Sequence, residues 1–214
     1  MLSWFERRID PYPQDTPSAP PKGFFAFVWA NTQGMRPFLL GMTLLTASIG
    51  AFEALLFNML GNIVDWLSRT PPAQLWAEQR SHLLLLVGIL LASPLLVWLQ
   101  TLLKHQAMAG NFPMRLRWKF HRLMLSQSMG FYQDEFAGRV AAKVMQTALA
   151  VRDTCFIVGD ILVFVTIYFV TMTAVVGGFD LWLLAPFLGW LLLYGCAVRW
   201  FVPRLSATAR AQAD

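Results

Sequence analysis

SHLLLLVGILLASPLLVWLQTLL, residues 81–103, runs for 23 residues without an aspartate, glutamate, lysine or arginine. A helix needs about 20 mostly apolar residues to cross the hydrocarbon core of a bilayer. Backbone polar groups in that core must be satisfied within the protein, which favours helix. Two later runs have the same character: Ile161–Phe179 supplies 19 such residues and Leu181–Val198 supplies 18. An earlier run, FLLGMTLLTASIGAFEALLFNMLGNIV, begins just after Pro37 and carries one acid, Glu53. The chain therefore reads as an all-α membrane protein with four spans, at about 37–60, 81–103, 157–177 and 181–199. Pro94 and Pro186 stay inside their spans, because membrane helices tolerate proline at kinks.

Composition points the same way. Of the 214 residues, 57% are hydrophobic and 14% charged, against about 25% charged in ordinary soluble domains. Mean hydropathy is +0.51. The formal charge is +5, a balance that elsewhere would point to nucleic acid. Here the bases lie beside the spans, so a topology rule accounts for them and no nucleic-acid partner is expected. Cys155 and Cys196 lack metal-ligand spacing, and His82, His105 and His121 are scattered. Neither a disulfide scaffold nor a metal site is expected.

Residues 1–23, MLSWFERRIDPYPQDTPSAPPKG, lack the apolar stretch of a signal peptide. They are polar and proline-rich, which predicts an exposed, poorly ordered cytoplasmic leader. Phe24–Trp29 is aromatic and apolar and suits a short interfacial helix.

The four spans leave alternating non-membrane segments. Residues 1–36, 104–153 and the tail after the fourth span together hold fifteen lysines and arginines, whereas residues 61–80 hold two, Arg69 and Arg80. The positive-inside rule then places the N-terminus, the middle segment and the tail in the cytoplasm. Trp66, Trp76, Trp182 and Trp200 fall near span ends, as interfacial anchors do. Both cysteines come to lie toward the reducing side.

The fifty residues between the second and third spans do not read as a loop. Leu116, Phe120, Leu123 and Met124 recur at helical spacing, and so do Val140, Val144, Thr147 and Val151. The second and third helices are thus predicted to run well beyond the membrane. About 45 residues of helix reach roughly 65–70 Å, whereas the hydrocarbon core needs only about 30 Å. Between the extensions lies a tight elbow, GFYQDEFAG, at about 128–138.

At this elbow the chain resembles the type 1 transmembrane domain of ATP-binding cassette exporters, bacterial half-transporters in particular. The resemblance rests on Phe131, Tyr132, Gly138, Arg139, Val140, Lys143 and Val144, and on the stretch FPMRLRWKFHRLMLSQSMGFYQDEFAGRV. It covers residues 30–214. The chain departs from the usual pattern after the elbow: Ala142, Lys143 and Val144 are followed by Gln146–Val151 without an acidic pair, and Asp153 comes later. The resemblance implies a partial six-helix domain over residues 24–214, with long cytoplasmic extensions joined by a coupling helix. It also implies partners: spans five and six, a nucleotide-binding domain on the same or a neighbouring polypeptide, a second half-transporter in a homodimer or heterodimer, and membrane lipid. ATP and Mg²⁺ would belong to the nucleotide-binding domain. These 214 residues contain no GxxxxGK[ST] loop to cradle phosphates, and no cofactor is expected in them. The chain reads as a fragment or a truncated gene product.

Two groups of residues stand out as candidate sites. At the elbow, the resemblance assigns docking of a nucleotide-binding domain to Phe131, Tyr132, Asp134, Glu135, Gly138 and Arg139; an exposed aromatic pair beyond the lipid fits protein contact. Within the spans, Glu53 and Asp160 are acids that usually face protein or a water-filled path. Trp98, Tyr168, Trp190 and Tyr194 are candidates to line a pathway for an amphiphile. No catalytic set is readable in these residues. The leading reading is the membrane portion of an ATP-driven exporter in a bacterial inner membrane, moving a hydrophobic or amphipathic solute, lipid or peptide. A four-span scaffold or assembly protein is the alternative. A membrane-bound transferase would need convergent polar groups near an interface, and the sequence offers none.

Overall fold

The computed structural model describes residues 3–14, 19–69, 72–134, 137–179 and 181–213. Among these the chain is mostly helical, with no strand. The helices are α1 (Ser3–Glu6), α2 (Phe24–Asn31), α3 (Arg36–Arg69), α4 (Pro72–Thr101), α5 (Asn111–Leu125), α6 (Met129–Asp134), α7 (Ala137–Phe156), α8 (Val163–Phe179) and α9 (Leu184–Ala213). Wider π-helical turns join α4 toward α5 at Leu102–Met108, and α7 to α8 at Ile157–Leu162.

Four helical runs are long and apolar enough to cross a membrane: Arg36–Trp66, Gln79–Leu125, Gly138–Gly178 and Leu181–Ala209. This is an all-α membrane protein. Leu91 is 73% exposed and Leu193 also 73%, far too much apolar surface for a soluble protein to leave in water. The run Gln79–Leu125 is 47 residues, about 70 Å at 1.5 Å per residue. Pro94 lies inside α4 as expected, and the helix instead bends at Gln79, whose φ is −114° and ψ 17°. Pro186 falls in the first turn of α9, where a missing N–H costs little.

The chain forms two compact units, residues 1–167 and 168–214. In the first, α3 packs along α4 and α5 packs along α7. The two amphipathic faces read from the sequence meet: Leu116 and Phe120 of α5 are buried against Ala148 and Val151 of α7, with Val144 packed at the edge. Met35, Met42, Met108 and Phe112 complete this core and are almost fully buried. Burying each such side chain stabilises by about 1.5–3 kcal/mol. Methionine, unbranched and adaptable, lets a core repack with little loss.

The lead-in corrects the sequence-based expectation. Residues 3–14 lie docked on the extension of the second helix rather than standing free. Ile9 is 3% exposed and belongs to the core, with Phe5 packed beside it. The carbonyl of Glu6 accepts from Asn111 Nδ2 at 2.8 Å, that of Asp10 from Arg115 Nη1 at 2.8 Å, and that of Pro13 from Trp118 Nε1 at 3.0 Å. Arg122 Nη1 also donates to Pro13 at 3.3 Å, and Tyr12 meets the Trp118 ring edge-on at 5.5 Å. Polar, proline-rich composition signals disorder only when apolar anchors are lacking, and Phe5, Ile9 and Tyr12 are such anchors. Residues 15–18 lie outside the described residues.

The segment Phe24–Asn31 is helical as expected. Its Phe27 stacks on Phe120 with centroids 6.2 Å apart, while Phe24, Phe25 and Trp29 are exposed. The turn into α3 uses Gly34 at φ +80°, a conformation costly for residues with a Cβ. A Cβ there would also lie 2.7 Å from Arg115 Nη2. The same Arg115 holds Asp10, so this turn and the lead-in share one side chain.

In the second unit, a stack of rings runs between helices. Phe169 of α8 lies 6.2 Å from Trp190 of α9, and Trp190 lies 5.5 Å from Tyr194 one turn on. Gly177 lets Leu184 approach: a Cβ at Gly177 would sit 3.2 Å from its Cδ1.

Candidate functional site

Two places gather polar and aromatic groups from several helices. The first is a polar node where the apolar part of the second helix ends. Thr46 comes from α3, Gln100 from the last turn of α4, Lys104 from the first π segment and Asp160 from the second. Lys104 Nζ pairs with Asp160 Oδ2. Thr46 Oγ1 donates to Asp160 Oδ1 at 2.8 Å, and Gln100 Nε2 donates to the same oxygen at 3.1 Å. Gln100 Nε2 also reaches Thr46 Oγ1 at 3.4 Å. Lys104 and Asp160 side chains are 22% and 14% exposed, so most of the pair is shielded from solvent. Thr46 is buried. Both oxygens of the carboxylate are therefore occupied, the arrangement a charge out of water requires.

Gly159 makes this possible. A Cβ on it would fall 2.9 Å from Thr43 Oγ1 and 3.1 Å from Met42 Cε. Its absence lets α3 approach the second π segment closely enough for Thr46 to reach Asp160. A π turn inserts one residue and often marks a functional position. Here both long helices carry such turns, and the ion pair joins one turn to the other.

Of the span residues singled out from sequence, the structure brings only Asp160 into this node. Glu53 is half-buried on α3, seven residues on from Thr46 and hence on the same face about two turns away. Trp98 is 55% exposed on α4; two residues from Gln100, it points roughly opposite. Tyr168 belongs to the second unit, as do Trp190 and Tyr194, which the ring stack joins to Phe169. Phe169, Thr46, Gln100 and Lys104 were not picked out. Lys104 counted only as one base among many, and nothing in a single sequence pairs it with Asp160 across 56 residues.

The second place is the elbow. α5 ends at Leu125, and Ser126 Oγ donates to the Leu123 carbonyl at 2.8 Å. Ser128 then opens α6, its Oγ accepting from the Phe131 N–H at 3.4 Å, as serine does at helix N-termini. Tyr132 is exposed and Phe131 half-buried. Tyr132 Oη donates to the Met124 carbonyl at 2.6 Å, closing α6 back on α5. Phe131 lies edge-on to Tyr132 at 5.3 Å and lines a cavity of about 390 Å³ with Phe27, Phe120, Val140 and Val144. Tyr132 is still 37% exposed and lines a neighbouring cavity of about 440 Å³ with Tyr12, Trp118 and His121. Its folding back adds a side-chain donor to a helix-end carbonyl that also accepts from the Gln127 N–H at 2.9 Å. Gly138 and Arg139 are exposed at the start of α7. Asp134 ends α6; its side chain and Glu135 lie outside the described residues.

Among known proteins, the chain is 48% identical over 215 aligned residues to a protein of Haemophilus influenzae named as an uncharacterised ABC transporter ATP-binding protein. The chain is similar to part of an ABC transporter. All of the chain is covered, but it spans only 35% of that relative's length. No family model matches the chain, and no solved structure matches it. The relative's printed name describes ATP binding, while the aligned chain consists of membrane-length helices and has no GxxxxGK[ST] loop.

Proposed function

We propose that this chain is the membrane-spanning portion of an ATP-driven exporter in a bacterial inner membrane. The observation that carries the reading is the pair of helical runs of 47 and 41 residues, joined by a short elbow helix, in a chain similar to part of an ABC transporter. Helices more than twice the thickness of the hydrocarbon core extend a lever beyond the membrane. In this reading the elbow lies in the cytoplasm and receives the motion of a nucleotide-binding domain through Phe131, Tyr132 and the residues beside them. ATP and Mg²⁺ act in that domain, outside these residues. Further spans and a second half-transporter complete the cavity. Its cargo is a hydrophobic or amphipathic solute, lipid or peptide.

The direct test is transport. Full-length protein in proteoliposomes should move fluorescent amphiphiles or labelled lipids only when ATP is supplied on the elbow side. Protein that binds its partners yet moves no solute with ATP would favour a scaffold instead. Topology gives a second check. In a background with Cys155→Ser and Cys196→Ser, an impermeant thiol reagent added outside intact cells should label Ser68→Cys and spare Gln127→Cys. The fifteen-to-two distribution of bases sets that expectation. Labelling of Gln127→Cys from outside would reject the orientation.

A further inference from the structure

We propose that residues 3–14 form a strap that splints a joint shared by the two long helices, and that its release lets the elbow end swing. The joint is the pair of π segments, Leu102–Met108 and Ile157–Leu162, tied to each other through Lys104 and Asp160. A π turn spaces its hydrogen bonds more widely than an α turn and is one of the places where long helices bend. The first segment closes on the bond from Ala109 N–H to the Lys104 carbonyl, at 2.9 Å. Arg152 of α7 reaches the Ala109 carbonyl at 3.3 Å, so the partner helix also grips this point.

The strap crosses the joint lengthwise. The Glu6 carboxylate accepts from Gln106, which lies within the first π segment. The carbonyls of Glu6, Asp10 and Pro13 are held by Asn111, Arg115, Trp118 and Arg122, all beyond that segment. One piece of chain thus grips the helix at the joint and past it, as a splint does. Most of its bonds are made by main-chain carbonyls, which water satisfies equally well after release. Ile9 is its one deeply buried anchor, set among Met35, Met108 and Phe112. The far end meets the elbow: Tyr12 and Tyr132 line the same cavity. Leaving the surface would therefore free the joint and open the cavity beside the elbow together.

The regulatory consequence rests on the exporter reading; the joint does not, and the experiment separates the two. Hydrogen exchange read by mass spectrometry on the full-length protein compares wild type with Ile9→Asp. Peptides covering both π segments should exchange at least about tenfold faster in the variant, while residues 84–95 stay unchanged. The second π segment is the informative one, since a change there must travel across the ion pair or across the core that Ile9 shares with Ala148, Val151 and Phe156 of α7. Unchanged exchange there overturns the proposal. Should Ile9→Asp fail to fold, Glu6→Ala with Ile9→Ala gives the same comparison at lower amplitude. A short reversible crosslink between Glu6→Cys and Gln106→Cys, with the native cysteines replaced by serine, should slow exchange at both segments. It should also stop ATP-driven transport until reduced. Full transport by the crosslinked protein overturns release as a regulatory step. A failure of transport in the uncrosslinked protein would instead count against the exporter reading and leave the exchange result standing as the test of the joint.

Discussion

Lys104→Met should be the most damaging single substitution in the spans. It removes the cation facing a carboxylate that is only 14% exposed. Thr46 and Gln100 still donate to Asp160, but two neutral donors do not neutralise a charge at the membrane edge. Breaking a buried pair by deleting one partner typically costs about 3–5 kcal/mol, a large fraction of the total stability of a folded domain. The thermal midpoint in detergent should fall sharply, and insertion into membranes should drop with it. Asp160→Asn should be milder. It keeps a side chain able to bond Thr46, and Lys104 has a long stem with which to reach hydrated surroundings. The decisive variant is the double substitution Lys104→Met with Asp160→Leu. Replacing both ions by apolar groups removes the desolvation cost together with the attraction, so the double variant should recover most of the midpoint lost by Lys104→Met. If the single and double variants melt together, the pair does not hold the helices.

The double substitution Phe131→Ala with Tyr132→Ala should sever hydrolysis from transport in the intact protein. Truncating an aromatic side chain at a packed docking site often costs about 2 kcal/mol or more, which is roughly 30-fold in an equilibrium. Solute moved per ATP should fall by about that order. Both residues sit on a six-residue helix beyond the apolar runs, so membrane insertion should be nearly normal. Tyr132→Phe separates the two roles of the tyrosine. It keeps the ring and loses only the bond to the Met124 carbonyl, a loss of about 0.5–1.5 kcal/mol. Coupling should then weaken slightly. Efflux and ATPase rates measured on the same proteoliposomes decide the matter, and an unchanged ratio in the double variant would remove the elbow from the coupling path.

The helical architecture was legible because hydrophobicity in long runs leaves few alternatives. Residues 81–103 have no charge with which to form anything else in a membrane. The apolar faces of α5 and α7 were legible from the spacing of Leu116, Phe120, Val144 and Val151; that they pack on each other is what the structure adds. The polar node was not legible. Thr46 and Gln100 are ordinary span residues by composition, and their meeting with Asp160 depends on helix rotation and on the room left by Gly159. The π turns were hidden for a related reason, since an extra residue in a turn changes no composition. At the elbow the helix break was readable from the GFYQDEFAG stretch, whereas the return of Tyr132 onto Met124 is a tertiary contact. In the lead-in, prolines outweighed Phe5, Ile9 and Tyr12, although those three were the signal that the segment docks.

The strap also sets an order of events at synthesis. Asp10 and Pro13 find their partners Arg115 and Trp118 105 residues later in the chain. At about 5–20 residues per second, roughly 5–20 s separate the emergence of one side of these bonds from the other. During that interval the first two spans must enter the membrane by hydrophobicity alone, while Ile9 remains without its pocket. The pocket needs α7 as well, since Ala148 and Val151 form part of it. Docking of residues 3–14 is therefore a late step in synthesis, complete only once α7 has been made. A nascent chain with a misplaced second span would present Ile9, Phe5 and Tyr12 to the quality-control machinery as an unburied apolar end.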